Sequence, residues 1–353
     1  TDAVLSALQR AREGQSDEPL IVYVAGHGEG AAAPRDNFVA LWGDDFLTVA
    51  DLATALDHQP NEDEGHGDQD GTARELALVM TTCFSGGFSE LAFAQADPTR
   101  GPARGRCGLF ATTWDRVASG CDSNPDRQAQ ESYSIHFLNA LRGRSRGGEE
   151  ILAAIDLDGD GRVSLAEAHA HMRSASRSFS VPTSTSERWL RHLALTKGLV
   201  AGDTKDGGPV EERAVAVALG RALGLTNAAA ARTERERLRA LLEGRERELA
   251  ELREAVDEAF GELRIALLAR WPVLEDPYHP LYARTLADER DALLDFLATS
   301  PAAQAFDEAD AELHSAQLAL EDMQMDAARV ERLVRAHDSL ALAIALEQRG
   351  GPD

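Results

Sequence analysis

Residues 75–90 read ELALVMTTCFSGGFSE. The apolar run Leu76–Met80 has the length and continuity of a strand buried on both faces. After Thr81 and Thr82 it delivers Cys83 into a loop of small residues that includes Ser85, Gly86 and Gly87. Open α/β sheets place their chemistry beyond the carboxyl ends of their strands, so Cys83 is a candidate reactive thiol. A second stretch, Pro19–Ala25 (PLIVYVA), ends in Gly26-His27-Gly28 and repeats the design. One strand ending in His-Gly and another ending in Cys give a candidate cysteine–histidine dyad. The alternative is a buried, inert cysteine and a core histidine.

The chemistry assigns a part to each group. A free thiol titrates near ~8.5 and needs an adjacent imidazole to take its proton. Acyl transfer also needs donors aimed at the developing oxyanion. The backbone N–H groups of Gly28 and Cys83 are the candidates. Gly86 and Gly87 are expected to keep side chains out of the path of an incoming peptide.

At these residues the chain resembles the caspase-like cysteine peptidases, the group of caspases, metacaspases and legumain-like enzymes. The resemblance is carried by an apolar strand with His27-Gly28 and an apolar strand with Cys83-x-Ser85-Gly86, and covers roughly residues 1–200. It implies an α/β fold, a three-layer sandwich, with Cys83 as nucleophile and His27 as general base and acid. Thr81-Thr82-Cys83-Phe84-Ser85 departs from the caspase pattern Q-A-C-R-G and is nearer to metacaspase and bacterial legumain-like forms. In such folds a strand, a helix and another strand precede the histidine strand. Here those first strands are absent from the residues given.

The frame is set by size and charge. At 353 residues the chain is long enough for two domains. A formal charge of −24 argues against a nucleic-acid surface. Cys83, Cys107 and Cys121 form no even disulfide framework, which points to a reducing, cytoplasmic setting. No apolar run approaches the roughly 18 residues of a membrane helix.

Along the chain, residues 2–13 read as a short amphipathic helix and Asn37–Trp42 as an extended segment. Thr48 with Asp51 starts a helix over Val49–Leu56. Residues 57–72 are an acidic loop; His58 and His66 within it have no metal-ligand spacing. Ser89–Gln95 is expected to be helical. Cys107–Thr113 is the next strand, with Cys107 in the core. After it come Asp115 and Asp122, where the resemblance implies the pocket for the residue preceding the cut. Two carboxylates there would bias it towards a basic side chain; surface-turn aspartates are the alternative. Arginines crowd two loops, Arg100, Arg104, Arg106 and Arg142, Arg144, Arg146, which would suit autoprocessing. Ser134–Leu141 reads as a helix and Trp189–Thr196 as the last strand.

Residues 156–167, DLDGDGRVSLAE, match the EF-hand loop D-x-[DN]-x-[DN]-G-x5-E at every fixed position. Hard Ca²⁺ takes six to eight oxygens. Asp156, Asp158 and Asp160 would supply carboxylates, Arg162 a backbone carbonyl, Ser164 a water-bridged position and Glu167 a bidentate carboxylate. Gly161 makes the sharp turn, and helices over Glu149–Ile155 and Leu165–Ser174 complete the hand. A degenerate loop that is stable without calcium is the alternative.

Residues 201–209 read as a linker by their Gly and Asp content. From 210 to 353 the chain is rich in Ala, Leu, Glu and Arg with apolar residues at alternating threes and fours, the mark of coiled-coil helices. An antiparallel hairpin, joined by a shorter helix at Leu281–Ala298, competes with pairing to another protein's helices.

The expectation is a caspase-like cysteine endopeptidase over residues 1–200 with a calcium site and a separable α-helical, coiled-coil domain at 210–353. Its partners would be protein substrates and a regulatory protein on the C-terminal helices, with no nucleic acid and no membrane. A calcium-binding scaffold without activity, or a transpeptidase using the same dyad, are the competing functions.

Overall fold

A computed structural model of the chain describes residues 1–13, 16, 18–57, 74–120, 131–200 and 207–350. It is mixed α/β, with a parallel-rich sheet and a large helical C-terminal region. Helix α1 (Asp2–Arg12) leads to strand β1 (Leu20–Val24). Three short strands follow, β2 (Gly28–Glu29), β3 (Phe38–Ala40) and β4 (Phe46–Thr48), in one antiparallel sheet. Thr48 starts helix α2 (Val49–Asp57) as its spacing predicts, its hydroxyl accepting from the Asp51 N–H at 3.0 Å. Then come β5 (Leu76–Met80), a 3-10 stretch (Ser85–Ala92), β6 (Arg106–Phe110), and helices α3 (Tyr133–Ala140), α4 (Leu152–Ile155) and α5 (Leu165–Ala175). Strand β7 (Thr183–Ser184) runs straight into α6 (Thr185–Thr196).

The main sheet has the order β1-β5-β6-β7, parallel except for β7. All five residues of β5 are buried, as the unbroken apolar run predicts. Leu76, Leu78 and Met80 enter one core with α2, while Val79 enters the other with α3 and α5. Burying each such side chain is worth roughly 1.5–3 kcal/mol, so both cores are built on this strand. β1 is an edge strand that leaves Ile21 and Tyr23 exposed.

Local expectations fail where a cap or a turn outweighs the apolar pattern. Trp189–Thr196 is helical, not a strand, because Ser184 caps α6 by accepting from the Glu187 N–H at 3.1 Å. Leu190 and Leu193 then fall on one buried face. The last strand is instead the short β7. The expected helix at Ser89–Gln95 is a 3-10 stretch that begins earlier. The helix before the acidic loop shrinks to the single turn of α4, since Arg144 and Glu150 pair as a β-bridge. Cys107, expected in the core, is exposed.

The remaining helices are α7 (Val210–Leu223), α8 (Ala228–Arg270), α9 (Tyr282–Asp288), α10 (Arg290–Thr299) and α11 (Pro301–Gln348). The helix expected over Leu281–Ala298 breaks at Glu289. The compact units do not divide at the expected linker. One comprises Thr1–Arg235 with Met325–Asp353, and the other Glu236–Gln324. In the first, Val215, Leu219, Leu333 and Val334 share a core with Ala170 of α5, and Leu342 and Ala345 pack with Leu190 and Leu193 of α6. Residues 210–235 and 325–350 therefore belong to the sheet-bearing unit, and 210–353 is not one separate body. Arg332, 0% exposed, donates to the carbonyls of Arg173, Ser176 and Ser178 at 2.6–3.0 Å.

In the second unit Phe260 of α8 packs on Phe306 of α11, and Trp271 meets Phe296 edge-on. In the first unit Arg235 pairs with Glu331 and Arg232 with Asp338. There the later α8 position, Arg235, meets the earlier α11 position, Glu331, so in this unit the two helices run antiparallel. Among the described residues no single helix is long and apolar enough to cross a membrane.

Candidate active site

The site grows from the register of two parallel strands. Val24 lies opposite Met80, and Thr81 closes the ladder by donating its N–H to the Val24 carbonyl at 2.9 Å. β1 and β5 therefore end level, and each turns out of the sheet at its carboxyl end within three residues. His27 and Cys83 line one cavity of about 240 Å³ with Gly26, Thr81, Ala118, Ser119, Gly120 and Ser132 to Ser134. The two separate strand ends are thus brought to one cavity. Among the described residues the two side chains make no direct hydrogen bond. Such bonds are often long before substrate binds. The Cys83 sulfur rests against the Ala118 backbone, accepting its N–H at 3.2 Å and facing its carbonyl at 3.8 Å.

Gly28 is required by contact. A Cβ there would lie 2.2 Å from the Cys83 carbonyl oxygen. The Ala40 N–H donates to the His27 carbonyl at 3.0 Å, which makes Gly28–Val39 a non-hydrogen-bonded pair of the β2–β3 ladder. The Gly28 N–H accordingly points away from β3 and is not used by that sheet.

Gly86 and Gly87 have a different role from the expected one. Both are buried, and a Cβ on Gly86 would lie 2.6 Å from the Thr112–Trp114 backbone, one on Gly87 2.6 Å from the Pro34 carbonyl. They allow close packing beneath the Cys83 loop and do not clear a path for substrate. Phe84 takes the left-handed conformation, φ 55°, and its N–H donates to the Arg116 carbonyl at 2.8 Å.

Two residues that the motifs did not single out bear on the site, Asn37 by bonding to the residue after Cys83 and Tyr133 by lining the cavity. Asn37, fully buried, bonds to Ala31, Phe84 and Trp114. Tyr133 lines the cavity and its hydroxyl meets His169 Nδ1 at 2.7 Å. Burial, helped by the Arg173 charge, pushes the His169 pKa down to about 3, so this imidazole is neutral. Neither signal is local in sequence; each depends on partners far along the chain.

Asp115 lines a separate, larger cavity of about 440 Å³ with Glu90, Arg188 and Arg335, and accepts from the Thr113 hydroxyl at 2.7 Å. The larger space holds neither Cys83 nor His27. Among the described residues no carboxylate lines the smaller one. Asp122 lies outside the described residues, as do Cys121, His58 and His66.

The acidic loop is closed around its own carboxylates. Asp156 Oδ1 accepts from the Gly159 and Asp160 N–H groups, and its Oδ2 from Gly161 at 2.9 Å. Asp158 accepts from the Asp160 N–H and Asp160 from the Arg162 N–H. Gly161 has φ +82°, the turn that its place in the motif requires. Ser164 caps α5 in a capping box with Glu167, whose carboxylate accepts from Leu157 at 2.5 Å and Ser164 at 2.8 Å. Burial pushes the Glu167 pKa up, but these N–H donors outweigh it and hold it below the usual carboxylate value. Ligand atoms of Asp156, Asp158 and Glu167 lie within 4.8 Å of one another, an acidic group that could hold a cation; Asp160 is not part of it.

The chain matches no protein-family model, no curated protein and no solved structure.

Proposed function

We propose that this chain is a cysteine endopeptidase of the caspase-like group, with Cys83 and His27 as its dyad. The observation that carries the reading is the common cavity at the level ends of β1 and β5, into which both residues are delivered. His27 takes the Cys83 proton as sulfur attacks the scissile carbonyl, and returns it to the departing amine. Gly28 and Cys83 N–H groups hold the oxyanion. Water, activated by the same imidazole, releases the acyl group from sulfur. Transfer to an amine in place of water would make the same site a transpeptidase. Asp122 is proposed to favour a basic residue before the cut, whereas Asp115 lines the separate cavity. The arginine-rich loops are then candidate self-cleavage sites.

Asp156, Asp158, Asp160 and Glu167 would hold Ca²⁺, with the Arg162 carbonyl and a water on Ser164. The ion would neutralise carboxylates gathered at the start of α5. A silent calcium-binding scaffold is the second reading, favoured by the compact helical unit 236–324. The discriminating experiment treats the full chain with a peptidyl chloromethyl ketone and maps the adduct. Labelling of Cys83 that is lost in His27→Ala supports the peptidase. An unreactive Cys83 leaves the scaffold.

A further inference from the structure

We propose that Asn37 is a positioning residue for the Cys83 site, a buried carboxamide that sets the loops after His27 and Cys83 and the end of β6 in one register. The inference rests on the dyad reading above. Asn37 is 0% exposed and sits between a 3-10 turn, Pro34–Asp36, and β3. Its Oδ1 accepts the Ala31 N–H at 2.9 Å, and its Nδ2 donates to the carbonyls of Phe84 at 3.0 Å and Trp114 at 2.7 Å. Those partners lie on the segment leaving His27, on the residue after Cys83 and on the segment leaving β6.

Only a carboxamide satisfies all three. One partner is a donor and two are acceptors, which dictates both the residue type and its orientation. A carboxylate would set an oxygen against two carbonyls, and an aliphatic side chain would leave buried polar groups unpaired. Asn37 is itself anchored, its N–H donating to Pro34 and its carbonyl accepting from Val49 at 3.0 Å. The fit is close on the far side too, where a Cβ on Gly87 would lie 2.7 Å from Nδ2.

The functional consequence runs through Phe84. A phenylalanine at φ 55° is strained unless its surroundings hold it. Asn37 grips its carbonyl while Arg116 grips its N–H. Because Phe84 directly follows Cys83, freeing its carbonyl lets the turn relax towards ordinary backbone. That relaxation moves the Cys83 thiol relative to His27.

The test uses the full chain and site-resolved alkylation of Cys83 by iodoacetamide as a function of pH. Wild type, His27→Ala, Asn37→Asp and Asn37→Ala are compared, with circular dichroism to confirm folding. The wild-type rate at neutral pH should exceed that of His27→Ala by at least about ten-fold. Both Asn37 variants should fall to the His27→Ala rate and pH profile while staying folded. A purely structural role lowers the melting temperature and leaves the Cys83 profile of wild type, which overturns the proposal. A wild-type profile equal to that of His27→Ala overturns the dyad itself and this inference with it. In the wild-type protein the Asn37 side-chain amide protons should exchange slowly by NMR. Fast exchange overturns the tie even where neither variant folds.

Discussion

Two regions of this molecule collect functional groups by opposite means. The Asp156–Glu167 loop draws its carboxylates from twelve consecutive residues, and its hydrogen bonds run between positions two to ten apart. The Cys83 cavity draws on residues 26–27, 81, 83, 118–120 and 132–134. Its supports reach further still, through Asn37 to Trp114 and Tyr133 to His169. A contiguous site depends on local turn chemistry. An assembled site depends on everything that holds its segments in register, and should therefore be the more fragile to distant change.

The largest effect that tests this difference is expected at Arg332, on α11 and far from the cavity in sequence. Arg332→Ala leaves the carbonyls of Arg173, Ser176 and Ser178 without their donor and opens a void. The expected loss is about 3–5 kcal/mol, read by urea denaturation. Burial pushes the Arg332 pKa down to about 9, so it remains a cation at neutral pH. A variant as stable as wild type would break the comparison, because the assembled unit would then tolerate losing a buried long-range tie.

Acid should act next. Burial pushes the Glu187 pKa up, yet Arg335, Arg191 and Arg173 bring it down to about 2. Glu131 behaves alike: His136 and Arg146 outweigh burial and hold it at about 2. Folded values below the ordinary 4.5 mean that both contribute stability above that pH. The contribution is lost as pH falls towards about 2, on the order of 3 kcal/mol each. Melting temperature should be flat above the ordinary carboxylate range and drop below it, with a smaller drop in Glu187→Gln. A Glu187→Gln curve parallel to wild type would remove Glu187 from that account.

Smaller again is Glu167→Gln. In excess calcium it should lower stability by about 1–2 kcal/mol relative to wild type and weaken calcium binding by calorimetry. In chelator the gap should narrow. Equal binding by both proteins would rule out the loop as the calcium site. The smallest effect belongs to Asp115→Ala, an exposed residue outside the Cys83 cavity. Stability should stay within about 0.5 kcal/mol and iodoacetamide labelling of Cys83 should not change. Any effect should be confined to preference among arginyl and neutral peptides. A fall in Cys83 labelling would join the two cavities and sharpen the site's outline.

The sequence by itself determined the parts whose causes are local. The unbroken run Leu76–Met80 has the length and continuity of a buried strand, and the twelve-residue acidic pattern closes on itself through its own backbone. Thr48 and Asp51 start a helix because a hydroxyl and a carboxylate reach N–H groups within one turn. The strand ends at His27 and Cys83 were legible for the same reason, although not their meeting. The tertiary structure decided the rest. Asn37 looks like any turn residue until three segments bring it two carbonyls and an N–H. Gly86 and Gly87 look like an open loop until the Thr112–Trp114 backbone is laid against one of them and Pro34 against the other. Residues 210–235 and 325–350 carry the same helical periodicity as 236–324, and periodicity names a buried face without naming its partner. Ala170, Leu190 and Leu193 supply that partner, because burial of apolar surface is non-directional and only packing selects which surfaces meet.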